Sequence, residues 1–204
     1  WDYGDYEGII SDYLRLRHRL VPYIYTMMYR GHEEGIPMVR PTYHKYPDDH
    51  PTYKLAHTRT NPYLVKNEYL FGDMIVSPIT SKKDAESGLG RARVWLPEGI
   101  YIDFFNGRVY RGHDSIFEVY RNDSEMPVFV KSGSIIPLAV LDGENGVETP
   151  SALELCVFGG GDGEFTMVED NGKSGAMAKV ARTKYSFEYG KTSTLSFTAL
   201  SCEG

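Results

Sequence analysis

Carboxylate pairs come first among residues that could do chemistry, because one can act as nucleophile or base while its neighbour acts as acid. Three groups stand out: Asp2, Asp5 and Glu7 at the start of the chain, Asp48 and Asp49 in a turn, and Glu169 and Asp170 flanking a hairpin. Nothing in their settings supplies the burial that raises an acid's pKa. Acidic residues beside helix starts and turns ordinarily serve caps and solvation, so none is assigned a catalytic role. His44, His50 and His57 recur in one irregular segment, and His32, Glu33 and Glu34 follow one another on a helix. A metal needs convergent ligands with outer-shell support. The spacing matches no standard site, and the helical group lacks a histidine four residues on. No metal-ligating residue is assigned.

Two further patterns have plainer readings. The run Gly159, Gly160, Gly161, Asp162, Gly163 lies between two predicted strands, so it lacks the helix N-terminus that would attract a phosphate. It reads as a flexible hairpin loop, and no cofactor site is assigned. The tyrosines and Trp95 could stack on sugar faces if they formed an exposed strip. Alternating Tyr and Phe on strands more commonly fill a core or a domain contact. Cys156 and Cys202 form neither a disulfide framework nor a zinc spacing, and both read as free thiols in a reducing cytoplasm.

The elements that would carry these residues are read from period and turn chemistry. Residues 9–35 form the long helical stretch, with Ser11 as N-cap, Asp12 in the first turn and Gly35 with Pro37 as the stop. Pro22 predicts a kink or restart near His18 to Val21. Beyond it, apolar residues surround the helix, which predicts burial on all sides. Residues 36–68 show no period and read as irregular connection. From Tyr69 onward the period is two, and Thr80 to Gly90 is a polar loop. Val94, Trp95 and Leu96 end at Pro97. Ile100 to Phe105 turns at Asn106-Gly107 as a two-residue hairpin. Val128 to Lys131 and Ser134 to Leu138 read as a second pair around Ser132-Gly133. After a break at Asp142 to Pro150, the sets Leu153/Leu155/Val157, Tyr185/Phe187/Tyr189 and Leu195/Phe197 alternate as half-buried strands.

Composition limits the function classes. A length of 204 residues allows one large domain or two small ones. The 41% hydrophobic, 13% aromatic content with 16 tyrosines is globular and β-leaning. A net charge of −6 without a basic cluster argues against nucleic acid. No apolar run reaches membrane-spanning length and no signal-peptide pattern opens the chain. The first residue is Trp1, so sequence upstream is expected and compartment stays open, with cytoplasm favoured.

Five ordered motifs then carry a resemblance. The strongest are Leu96-Pro97-x-Gly99-x-Tyr101-x-Asp103-Phe104 and Met126-Pro127-Val128-Phe129-Val130-Lys131-x-Gly133-x-Ile135-Ile136-Pro137. Around them lie Leu16-Arg17 to Pro22-Tyr23-Ile24-Tyr25, Gly35-x-Pro37-x-Val39-Arg40-Pro41 with Tyr69-Leu70-Phe71-Gly72-Asp73 to Ser77-Pro78, and Phe165 to Gly172. Together they resemble glycoside hydrolase family 31, which holds α-glucosidases and α-xylosidases. The resemblance implies a mainly β chain with an N-terminal helical segment: residues 1–68 as the end of a (β/α)8 catalytic barrel, 69–145 as a proximal antiparallel β-sandwich, and 146–204 as an incomplete distal one. It implies a retaining parent enzyme whose two catalytic aspartates lie before the late helix. No Trp-x-Asp-Met-Asn-Glu-like motif occurs here, so no catalytic residue is carried over and the chain alone is expected to be inert. The implied partners are the rest of the same enzyme and, in the intact enzyme, an α-glucoside or oligosaccharide. An autonomous carbohydrate-binding module and a structural or oligomerising domain are the alternatives.

Overall fold

The computed structural model describes residues 2–47, 65, 67–113, 115–141, 149–173 and 179–203. A single 3₁₀ turn, Gly4–Tyr6, leads into α1 (Glu7–Arg19) and α2 (Val21–Glu34). There follow β1 (Val39–Pro41), the short α3 (Thr42–Lys45), β2 (Tyr69–Phe71), β3 (Met74–Val76), β4 (Gly90–Leu96) and β5 (Gly99–Asp103). The remaining strands are β6 (Val109–Gly112), β7 (Ser115–Arg121), β8 (Val128–Lys131), β9 (Ile135–Ala139), β10 (Leu153–Val157), β11 (Gly163–Asp170), β12 (Val180–Glu188) and β13 (Thr194–Glu203). Every strand pairing is antiparallel. The chain is therefore mainly β with an N-terminal helical segment.

It divides into two compact units, residues 38–132 and residues 1–37 with 133–204. In the first, a six-stranded sheet of order β1-β2-β3-β8-β5-β6 faces the β4–β7 pair. Period two explains the packing. Ala92, Val94 and Leu96 of β4 and Val119 of β7 point into one core with Leu70, Ile75, Tyr101 and Phe129 of the larger sheet. Two sheets packed face to face in this way form a β-sandwich. On the opposite face of β4, Arg91 and Arg93 reach Glu118 at 3.4 and 3.3 Å.

In the second unit, β9–β10 and the three-stranded sheet β11-β12-β13 enclose a smaller core of Ile135, Met167 and Tyr185. Leu153, Leu155 and Val157 line it from β10, as their alternation predicts. Helix α2 packs on β11 and β9. Tyr23 stacks on Phe165 with ring centres 5.8 Å apart, and Thr26 and Met27 are buried beside it.

Several local expectations need correcting. The helix starts at Glu7, and Ser11 lies inside it. Asp2 makes the turn ahead of it by accepting the Gly4 N–H at 2.8 Å. The restart at Pro22 is found: proline takes an early position of α2, where no intrahelical donor is required. Gly35 ends α2 in a left-handed conformation, φ 69°. Within this chain one side of α2 is uncovered, Met28 being exposed. The strands β8 and β9 do not pair: β8 joins β3 and β5, and β9 joins β10. The hairpin after β5 exists but is longer than two residues, with Gly107 N–H bonded to Asp103 O at 2.9 Å and Asp103 N–H to Arg108 O at 2.8 Å.

Candidate functional site

In the unit of residues 38–132, polar side chains occupy core positions of strands. Asp103 shares the inward face of β5 with Tyr101, and Arg121 shares that of β7 with Val119; both are buried. Their guanidinium–carboxylate contact is 2.5 Å. Arg121 also donates to Tyr110 Oη at 3.2 Å and to the Tyr120 carbonyl at 2.8 Å. Burial pulls against its charge, but the Asp103 carboxylate and then Tyr110 Oη hold its proton above the ordinary arginine range. The other oxygen of Asp103 accepts the Phe105 and Asn106 N–H groups at 3.0 and 3.3 Å, so one carboxylate shapes the turn and anchors the arginine.

Glu68 is a second buried acid. Its Oε2 accepts the Ser77 hydroxyl at 2.6 Å and the Trp95 N–H at 3.1 Å. Oε1 has no hydrogen-bond partner among the described residues. Burial pushes the carboxyl up to about 8, overcoming the lowering pull of Ser77 and Trp95. Tyr101 is raised too, first by burial and then by Tyr46 and Glu68. Burial thus favours the protonated form of Glu68.

Arg121 is one of the residues lining a cavity of about 630 Å³ whose walls come from the segments 78–83 and 121–126, with Gly90 between them. Self-bonded loops lie beside and within its walls. Asp84 Oδ1 accepts the N–H and hydroxyl of Ser87 at 2.8 and 2.9 Å, and these bonds hold its carboxyl below the usual range. Asn122 Oδ1 accepts the Ser124 N–H at 3.0 Å. Lys83 and Asp123 join the two walls at 2.6 Å. A Cβ on Gly90 would stand 2.8 Å from Ile79 Cγ2, so glycine allows that side chain to close the wall. The carboxylates here are committed: Asp123 to Lys83, and Glu125 to Asn106 at 3.1 Å and Arg121 at 3.5 Å.

The residues weighed from sequence are not brought together. Asp2, Asp5 and Glu7 are exposed around the first turns. Glu169 and Asp170 end β11 and diverge in character: burial raises Glu169, whereas the Tyr25 hydroxyl and then the Gly172 N–H lower Asp170. Tyr25 itself is raised to about 12, first by burial and then by Asp170. His32 and Glu33 are 3.8 Å apart and exposed, and His44 sits edge-on to Tyr43 in α3. Asp48, Asp49, His50 and His57, like most of the break at 142–150, lie outside the described residues. Among the described residues no group of three or more His, Cys, Asp or Glu is placed to hold a metal, and no helix is long and apolar enough to cross a membrane. Trp95 is buried under the edge of Tyr46, 5.5 Å between ring centres, so it is no sugar platform. Cys156 is a free, half-buried thiol whose pKa burial raises.

The glycine run links β10 to β11 in different sheets and is not a hairpin loop. A Cβ on Gly163 would fall 1.7 Å from Gly133 O, and one on Gly133 2.1 Å from Asp162 O. Close backbone approach, not phosphate binding, explains these glycines. Sequence reasoning passed over Glu68, Asp103 and Arg121. Their signal was parity, since each falls on the same inward face as a large apolar neighbour two residues away.

The profile described as Glycosyl hydrolase family 31 C-terminal domain matches residues 35–136. The chain belongs to that family. It is 30% identical over 201 residues to alpha-glucosidase 2 of Bacillus thermoamyloliquefaciens, covering 95% of this chain and 23% of the relative. It is 30% identical over 170 residues to an alpha-xylosidase of Saccharolobus solfataricus, covering 82% and 21%. A GH31 dextranase of Flavobacterium johnsoniae, solved with isomaltotriose, superposes with a TM-score of 0.72 at 26% identity, over 91% of this chain and 22% of that one. The chain thus spans about a fifth of the length of these relatives.

Proposed function

We propose that this chain is the accessory C-terminal region of a retaining α-glycoside hydrolase acting on α-linked glucosides, with the catalytic aspartates upstream. The match to the family's C-terminal domain carries the reading. The commitment of Asp103, Asp123 and Glu125 to structural partners supports it. In this reading residues 1–68 end the catalytic barrel, 69–145 form the proximal sandwich and 146–204 belong to a distal one. The α1–α2 segment is the barrel's last helix, and β9 and β11 of its own unit pack on it. The rest of the enzyme is the partner, and an α-linked oligosaccharide is the substrate of the whole. A reducing cytoplasm suits the free thiol of Cys156.

Hydrolysis of an aryl α-glucoside tests the reading, using this chain beside a protein extended upstream through the barrel. Turnover by the longer protein alone is expected, and turnover by this chain would overturn it. One observation favours an additional oligomerising role: Leu195, Phe197 and Leu200 of β13 are exposed, Phe197 at 76%. Sedimentation of the chain over a wide concentration range should then show self-association, and a constant monomer mass would remove that role.

A further inference from the structure

We propose that the cavity lined by Arg121 is a binding site for a short α-linked oligosaccharide. The proposal rests on the reading of this chain as part of an α-glycoside hydrolase, and it adds a site within the chain itself.

The chemistry of the lining selects the ligand class. Lys82, Lys83 and Arg121 offer cationic donors, while Asp123 and Glu125 offer carboxylate oxygens in the same cavity. An anion would meet the two carboxylates, and a cation would meet the three cationic side chains. A neutral ligand rich in hydroxyls satisfies both kinds, because each hydroxyl donates once and accepts twice. Pro78, Ile79 and Met126 supply the apolar wall against which the C–H face of a pyranose ring can lie. The volume of about 630 Å³ lies in the range of small-ligand clefts.

Two groups have unused capacity. The side chain of Arg121 is 4% exposed. Its Nε is buried and makes no hydrogen bond among the described residues, Glu125 Oε2 being 3.5 Å away. Leaving such a donor unmatched costs free energy that a small shift of Glu125 on binding would recover. Lys82, on the exposed wall, has no ion-pair partner among the described residues. The two walls are joined before any ligand arrives by the Lys83–Asp123 pair, which lowers the ordering cost of binding.

The test is titration of the 204-residue chain with isomaltotriose and maltotriose, followed by calorimetry and by amide chemical shifts. Millimolar binding with shifts confined to residues 78–90 and 121–126 is expected. Lys82→Ala and Asp123→Asn alter exposed side chains, so both variants should fold as the parent does. Thermal unfolding checks this. Each should weaken binding, and together they should raise Kd about tenfold or more, or ~1.4 kcal/mol. Absence of binding by the folded chain, binding that maps elsewhere, or binding indifferent to both variants would overturn the proposal. Stronger binding of inorganic phosphate than of either sugar would overturn the ligand class. None of these results depends on the aryl glucoside assay, so failure of the site and failure of the parent reading are separable.

Discussion

The two compact units bury polar groups in opposite ways. In residues 38–132 ionisable side chains lie inside a two-sheet core: Asp103 and Arg121 are 0% and 4% exposed, and Glu68 is buried beside Ser77 and Trp95. In the unit of residues 1–37 and 133–204, polar contacts instead fasten α2 to the edge of a sheet. Thr26 Oγ1 donates to Pro22 O at 2.8 Å and accepts the Val168 N–H at 3.1 Å. Tyr25 donates to Asp170, and Arg182 lies over the Tyr29 ring while donating to its hydroxyl at 3.1 Å. A charge placed within a core must keep its partner, whereas a hydroxyl at a helix–sheet seam closes a backbone group that would otherwise be orphaned. The first unit should therefore respond sharply to loss of one charge and to pH, and the second in smaller steps.

Breaking the buried pair is the largest expected effect. Arg121→Ala leaves the Asp103 carboxylate unpaired in the core and should cost about 3–5 kcal/mol by denaturant unfolding. The double change Arg121→Met with Asp103→Leu should recover much of it, since well-packed apolar residues replace such pairs at little cost. A loss below about 1 kcal/mol from Arg121→Ala would erase the contrast between the units.

Glu68 supplies the next effect. Its folded pKa of about 8 stands above the ordinary value of 4.5, so the folded state holds the proton more tightly than the unfolded chain. Stability should therefore fall as pH rises from about 4.5 to 8, at up to about 1.4 kcal/mol per unit. Glu68→Gln should flatten that slope, while an unchanged slope would assign the pH dependence elsewhere. Asp170 runs the other way. Its lowered pKa contributes stability that is present above the unfolded value and lost on acidification, and Tyr25→Phe should reduce that loss, the Gly172 N–H remaining.

Smaller effects belong to the second unit. Thr26→Val leaves the Val168 N–H without its acceptor and should cost about 1–3 kcal/mol. Phe197→Ser on the exposed face of β13 should change monomer stability by no more than about 0.5 kcal/mol. A larger loss would mean that this face is covered.

Sequence conveyed the strands better than their partners. Alternation around Trp95, Tyr101 and Val128 placed β4, β5 and β8, and Pro22 marked the restart between α1 and α2. The pairing of β8 with β9 was misread because Ser132-Gly133 looks like a hairpin turn. Gly133 has φ 86° and a backbone approach to Asp162 that no local pattern reveals. The helix start was misplaced because Ser11 has the chemistry of a cap, whereas the turn at Asp2 and Gly4 begins the segment earlier. The polar cavity stayed hidden because its two walls are separated by some forty residues of chain. The buried pair was in principle legible: Asp103 and Arg121 stand at core parity in their strands, and opposite charges at such positions imply a pair.

The central claim is that the ionisable groups of this chain hold the fold and perform no step of the reaction. Steady-state kinetics of the longer enzyme carrying Glu68→Gln tests it most directly, because Glu68 is the acid whose raised pKa most resembles that of a catalytic proton donor. The account predicts an unchanged kcat at neutral pH, with the alteration confined to the pH dependence of unfolding. A fall in kcat of about a hundredfold in a fully folded enzyme, the size expected for loss of a general acid, would contradict it.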